Sequence, residues 1–223
     1  MAPRAYRSEL RVAQAQQTRR RVIEAAAVLF ATQGYQATTL VAIGREAGVS
    51  TETVKGTLSK AELLIAAFEV TFSGVAGAES LRDTEAAAGV MELPDDEFLD
   101  AVIAGISDAN ARGHALWTVL LGAASSDPVV DDALQAMLTR RRADYLLLVD
   151  QLIARGYAEA VTDRAAAAAV VSFLLSPESF QQLVAQSGMS RDAYEAWVRQ
   201  AILAELRRRP AGESTVTGTR RSP

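Results

Sequence analysis

Ser50, Thr51, Thr53 and Lys55 stand within six residues, directly after Gly48-Val49. Three hydroxyls and an ammonium at this spacing form no catalytic set. They are hydrogen-bonding groups. On the first turns of a helix laid in the major groove of DNA they reach base edges: threonine offers a hydroxyl, or its methyl to thymine, and lysine addresses guanine. Thr38, Thr39, Arg45 and Lys60 flank them, and hydroxyls and cations of this kind hold phosphate oxygens. Thr39 suits a helix N-cap, where its hydroxyl and the free backbone N–H groups can take a phosphate together. Glu52 faces the same region and repels phosphate unless it accepts from cytosine. For each of these residues the alternative is an ordinary cap or a solvated helix face.

The elements that must position them are short. Leu40, Ile43 and Ala47 fall on one face of a helix from Leu40 to Ala47, and Val49 and Val54 are spaced to close over it. Gly48 suits a left-handed C-cap, and Ser50 the N-cap of a second helix. Two short helices joined by a three-residue turn containing glycine predict a helix-turn-helix. A preceding helix from about Gln17 to Thr32 repeats Ile23, Ala26, Ala27 and Phe30 at i, i+3, i+4, i+7, with Gly34 to end it. Ser59-Lys60-Ala61-Glu62 is a capping box, so a fourth helix starts there.

Charge is divided in the same way. The 223-residue chain carries a net −4. Residues 1–60 hold nine Lys or Arg against four Glu, while the remainder holds 14 basic and 23 acidic residues. The basic end suits a polyanion and the acidic body does not. Arg19, Arg20 and Arg21 form a basic edge. Arg4, Arg7 and Arg11 stand in a polar stretch over 1–16 that reads as a flexible arm, able to enter a minor groove.

The rest reads as helices. Hydrophobic residues make up 49% and aromatics 6%, a balance that favours packed helices over sheets. Residues 73–93 read as a helix tail plus a loop. Helices are then expected from Pro94 to about Asn110 and from His114 to Ala124. A long one follows Asp127-Pro128 and ends at Gly156. Another runs from Thr162 or Asp163 to about Leu175, with a restart or kink at Ser176-Pro177-Glu178, and the last is capped by Ser190. Residues 207–223 read as a disordered tail. There is no cysteine, so neither disulfides nor thiolate metal sites can form, and His114 is the only histidine. No phosphate-cradling glycine loop, nucleophile elbow or kinase set occurs, so nothing points to an enzyme or a cofactor. No apolar run reaches membrane-spanning length and the opening residues lack a signal-peptide core, so the cytoplasm is the expected compartment.

Several short motifs occur in order: Arg20 to Ala26, Leu29 to Tyr35, Ala37 to Leu40, Ile43 to Ser50 and Ser59 to Leu64. Over about residues 17–64 the chain resembles the TetR family of bacterial transcriptional regulators. The resemblance implies an all-α chain: a three-helix helix-turn-helix DNA-binding domain at 17–62, then a helical ligand-binding and dimerisation domain at 63–206. It implies a homodimer on a palindromic double-stranded operator, released by a small-molecule effector, most often a repressor. The family's ligand cavity lies among the helices of the second domain. Phe98, Val102, Asn110, His114, Trp117, Leu121, Met137, Tyr145 and Phe173 are the lining candidates, each against the alternative of simple core. Asn110 and Tyr145 stand out, since a polar group beside an apolar stripe needs a partner. Two departures are visible: Gly44 stands where relatives carry Ala, and no aromatic follows Val54. The second leaves open a ligand- or protein-binding module that has lost sequence-specific DNA binding.

Overall fold

The computed structural model describes residues 3–74, 84–158 and 161–208. Its helices are α1 (Pro3–Ala37), α2 (Leu40–Ala47), α3 (Thr51–Lys55), α4 (Lys60–Ser73), α5 (Glu85–Met91), α6 (Asp95–Ala124), α7 (Pro128–Ala154), α8 (Arg164–Leu174), α9 (Pro177–Phe180) and α10 (Arg191–Leu206). A π-helical segment, Gln181–Gln186, follows α9. Among the described residues there is no strand, so the fold is all-α.

Local signals set the helix starts. Thr39, Ser50, Ser59, Asp127, Asp163, Ser176 and Ser190 each accept a backbone N–H at an N-terminus. Ser59 and Glu62 close the capping box reciprocally. Those backbone bonds, made by Ser59, hold the Glu62 carboxyl below the usual carboxylate range.

Three expectations are corrected. The arm over 1–16 is helical from Pro3, continuous with α1, whose dihedrals break at Gly34 (φ 77°). Residues 85–91 form helix α5 rather than loop. The two helices expected between Pro94 and Ala124 are one helix of 30 residues. Gly113 lies within this helix, where a Cβ would come 2.9 Å from the Phe72 ring. Its role is to let α4 press against α6. The expected boundary at 62/63 lies within the span of α4. Residues 209–223, most of the expected tail, lie outside the described residues.

Two apolar clusters make the core. The first joins Val22, Phe30, Ile43, Val54, Leu63, Leu64 and Phe68 to Leu116, Trp117 and Leu120 of α6 and to Val130 and Leu134 of α7. The second packs Phe98, Leu99 and Ile103 of α6 against Val149, Val171, Tyr194, Val198 and Ile202. Helix α6 therefore belongs to both. Arg112 donates to Thr71 O (3.1 Å) and Phe72 O (2.9 Å), tying the end of α4 to α6. Arg155 does the same for α5, donating to Met91 O (2.7 Å), Leu93 O (3.0 Å) and Asp95 (2.8 Å).

Candidate nucleic-acid interface

Helices α2 and α3 meet as the sequence predicts. Gly48 takes the left-handed conformation (φ 64°) and its N–H donates to Arg45 O. Helix α2 and the turn approach so closely that a Cβ at Gly44 would lie 3.0 Å from Val49 O and 3.4 Å from Thr51 N. The glycine that departs from the family pattern is thus matched to a tighter turn. Arg21 on α1 donates through Nη2 to Ala47 O, one of the carbonyls left open at the end of α2. It anchors the turn to α1, a role that sequence spacing could not reveal.

Helix α3 has five residues, and Gly56 continues in right-handed geometry (φ −73°) before the chain turns. Val54 is buried, and Leu58 packs against the same cluster. The surface of α3 presents Glu52, Thr53 and Lys55 fully to solvent, with Thr51 half-buried. Ser50 Oγ accepts from Thr53 N (3.1 Å) and lies 2.8 Å from Thr53 Oγ1. It serves mainly as a cap, and only its exposed edge remains for a ligand. Arg45 and Thr39 are exposed on α2, with Thr39 Oγ1 accepting from Ala42 N (3.1 Å).

Thr38, expected beside the phosphates, lies inside the fold. It is fully buried, and its hydroxyl lies within reach of Leu29 O (3.2 Å) and Gly34 O (2.8 Å). The bend at Gly34 turns it inward, where it satisfies carbonyls at the end of the straight part of α1.

Lys60 is only half-exposed. Its Nζ lies 4.5 Å from the centre of the Tyr35 ring and 3.4 Å from Gln36 O. Burial lowers its pKa, and the Asp127 charge pulls it partly back. Tyr35 in turn donates to Asp127 Oδ2 at 2.6 Å, and Gln36 to Ser126 Oγ at 3.4 Å. Burial and then this bond push the Tyr35 phenol up, and the same bond holds Asp127 below the usual carboxylate range. The end of α1 and the start of α4 are therefore joined to the α6–α7 turn.

The second-domain candidates divide. Asn110, His114 and Trp117 share one side of α6, and Arg141 lies over both Trp117 (6.0 Å) and Tyr145 (5.7 Å). Burial raises the Tyr145 pKa to about 12. Phe98 is buried in the second cluster with Val102 against it, and Met137 packs on the first. Phe173 and Leu121 do not line an interior: they are 61% and 38% exposed. Helix α8 buries Ala167, Ala168, Val171 and Leu174, which turns Phe173 outward; Trp117 and Leu120 take the inner side of α6 and leave Leu121 outside. Among the described residues no cluster of three or more metal-ligating side chains occurs, and no helix is long and apolar enough to cross a membrane.

A family profile described as bacterial regulatory proteins, tetR family, matches residues 22–55. No curated protein matches the chain. Among solved structures, a transcriptional regulator from Saccharomonospora viridis, crystallised with choline, aligns at TM-score 0.69 and 19% identity, over 87% of this chain and all of its own. A TetR-family regulator from Rhodococcus sp. aligns at 0.66 and 16%, over 86% of this chain and 99% of its own. The fatty acid degradation regulator FadR from Bacillus halodurans aligns at 0.62 and 21%, over 86% and 97%. At these identities the likeness is one of fold. Residues 22–55 are accordingly similar to the tetR family of bacterial regulatory proteins, and the chain around them shares the all-helical fold of TetR-type transcriptional regulators.

Proposed function

We propose that the protein is a homodimeric, ligand-responsive transcriptional regulator, acting as a repressor on a palindromic operator. The observation that carries this reading is the α2–turn–α3 unit, with exposed Arg45, Thr53 and Lys55 on the basic end of an otherwise acidic chain. In this reading residues 17–62 form the reading head and 63–206 bind effector and partner. Each α3 enters a major groove, with half-sites about 34–36 Å apart. Thr39, Arg45 and Lys60 hold phosphates, while Thr51, Thr53 and Lys55 address bases. The dimer face is assigned to α8 and α10, where the large apolar side chains of Phe173 and Trp197 stand 61% and 39% exposed. Effector binding favours a dimer whose heads no longer match the spacing, and operator binding weakens the effector by the same factor.

The five-residue α3 favours a second reading, a ligand- or protein-binding module without sequence-specific DNA recognition. Selection of duplexes from a random pool, retested across a salt series, separates the two. A palindromic winner well preferred over random DNA supports the regulator. Binding without consensus that fades at moderate salt supports the module.

A further inference from the structure

Four buried polar atoms on α6 have no hydrogen-bond partner: Ser107 Oγ, Asn110 Oδ1, His114 Nδ1 and Trp117 Nε1. Ser107, Asn110 and Trp117 are 1%, 0% and 3% exposed. At 100° per residue the four fall within about 80° of arc and run along about 15 Å of the helix axis. A buried polar atom left unpaired loses its hydration with nothing in return. Four in one stripe form a set with a common explanation.

The surroundings of the stripe are specific. Asn110 Nδ2 donates to Leu175 O (3.1 Å), which fixes the amide and leaves Oδ1 as a free acceptor. The His114 ring lies 5.8 Å from Phe180 of α9. Thr118, one turn on, donates to Gln181 Oε1 (2.6 Å) of the π-helical segment. Residues 175–186 are therefore the cover, and the π-helical part is a geometry frequent at functional sites. On its other side the Trp117 ring packs 5.3 Å from Phe68 of α4.

We infer that this stripe is the binding face for an uncharged, elongated ligand that donates a hydrogen bond to Asn110 Oδ1 and accepts one from Trp117 Nε1, admitted by displacement of the π-helical cover. The inference rests on the ligand-responsive reading above and names the chemical class of its effector. The charge follows from the neighbours. Arg141, beside Trp117, already donates to Ser172 Oγ (3.0 Å) and Ser172 O (2.7 Å) and lies 4.0 Å from Glu178. Asp108 is paired with Arg191 at 2.5 Å. Burial lowers the His114 pKa, so its imidazole is neutral at neutral pH. Arg140 Nε also lacks a partner, but α7 turns by about 100° between it and Arg141. Neither an anion nor a cation meets an unanswered counter-charge.

The test uses the full chain labelled with nitrogen-15 and three size-matched probes: 4-phenylbutanamide, 4-phenylbutanoate and (4-phenylbutyl)trimethylammonium. The two indole N–H signals are assigned with Trp197→Phe. The amide is expected to shift the Trp117 signal saturably while the charged probes do not, and Asn110→Leu should weaken the amide about two- to tenfold. Ser107→Ala removes an oxygen that has no partner, so it should raise Tm by about 2–4 °C. A charged probe binding as well as the amide, no probe moving Trp117, or a lower Tm for Ser107→Ala would each overturn the inference. Duplex selection on the same protein judges the regulator reading separately, so the two can fail independently.

Discussion

Tyr35→Phe deletes one oxygen and, with it, a bond that joins the end of α1 to the α6–α7 turn. The bond is 2.6 Å long and ends on a carboxylate. Hydrogen bonds to charged groups contribute about 1.5–3 kcal/mol. Asp127 keeps part of its surface in water, so screening reduces this to about 1–2 kcal/mol. For a chain of this size that is a fall in Tm of about 2–8 °C. Asp127 Oδ1 also accepts from Val129 N (3.1 Å) as the cap of α7. Asp127→Asn keeps a cap-competent side chain while removing the charge. A double-mutant cycle between Tyr35→Phe and Asp127→Asn therefore isolates the link. The pH dependence has a fixed sign. Folding depresses the Asp127 pKa, so the stabilisation is complete above its unfolded value of about 3.9 and is lost as pH falls through the lower folded value. Thermal melts of wild type and Tyr35→Phe should differ at pH 7 and differ less at an acid pH below the folded Asp127 value. An unchanged Tm at pH 7, or an equal gap at both pH values, would refute the assignment.

Three further outcomes are expected. Gly44→Ala should lower Tm despite a helix-propensity gain of about 1 kcal/mol, because the new Cβ would press on backbone atoms of Val49 and Thr51; a stabilised variant would mean the turn is slack. Thr38→Val should lower stability by about 1–3 kcal/mol, since two buried carbonyls lose a donor, yet leave the slope of DNA affinity against salt unchanged. Lys55→Ala, on the exposed side of α3, should do the reverse, leaving Tm within about 1 °C and flattening that slope by about one unit if the lysine meets phosphate, or relaxing base preference if it meets guanine.

What the sequence made legible was local. A cap needs an oxygen two or three residues from a backbone N–H, so Ser50, the Ser59–Glu62 box and the Asp127-Pro128 start could be placed by spacing alone. The motif's inner face could be read too, because Ile43, Ala47 and Val54 lie within a dozen residues. What sequence hid was set by partners far along the chain. Gly113 and the Phe72 ring that approaches it are 41 residues apart. Tyr35 and Asp127 are 92 residues apart. Thr38 is buried and Phe173 exposed, and neither residue type nor a family resemblance tells what packs around a side chain. Ser107 went unnoticed as one more helix serine, although its i, i+3 relation to Asn110 was the available signal.

Helix α6 contributes Leu116, Trp117 and Leu120 to one core and Phe98, Leu99 and Ile103 to the other. At 1.5 Å per residue its 30 residues make a rod about 45 Å long. Neither core can melt without exposing apolar surface on the same rod, so the chain should denature as one calorimetric unit. It also constrains how such regulators can exchange parts. A head transplanted from a relative would have to bring α1 through α4 and find, on the recipient's α6, a glycine that admits its Phe72 equivalent and an indole to face its Phe68. Recombination at the 62/63 boundary would cut through α4 and leave the first core mismatched.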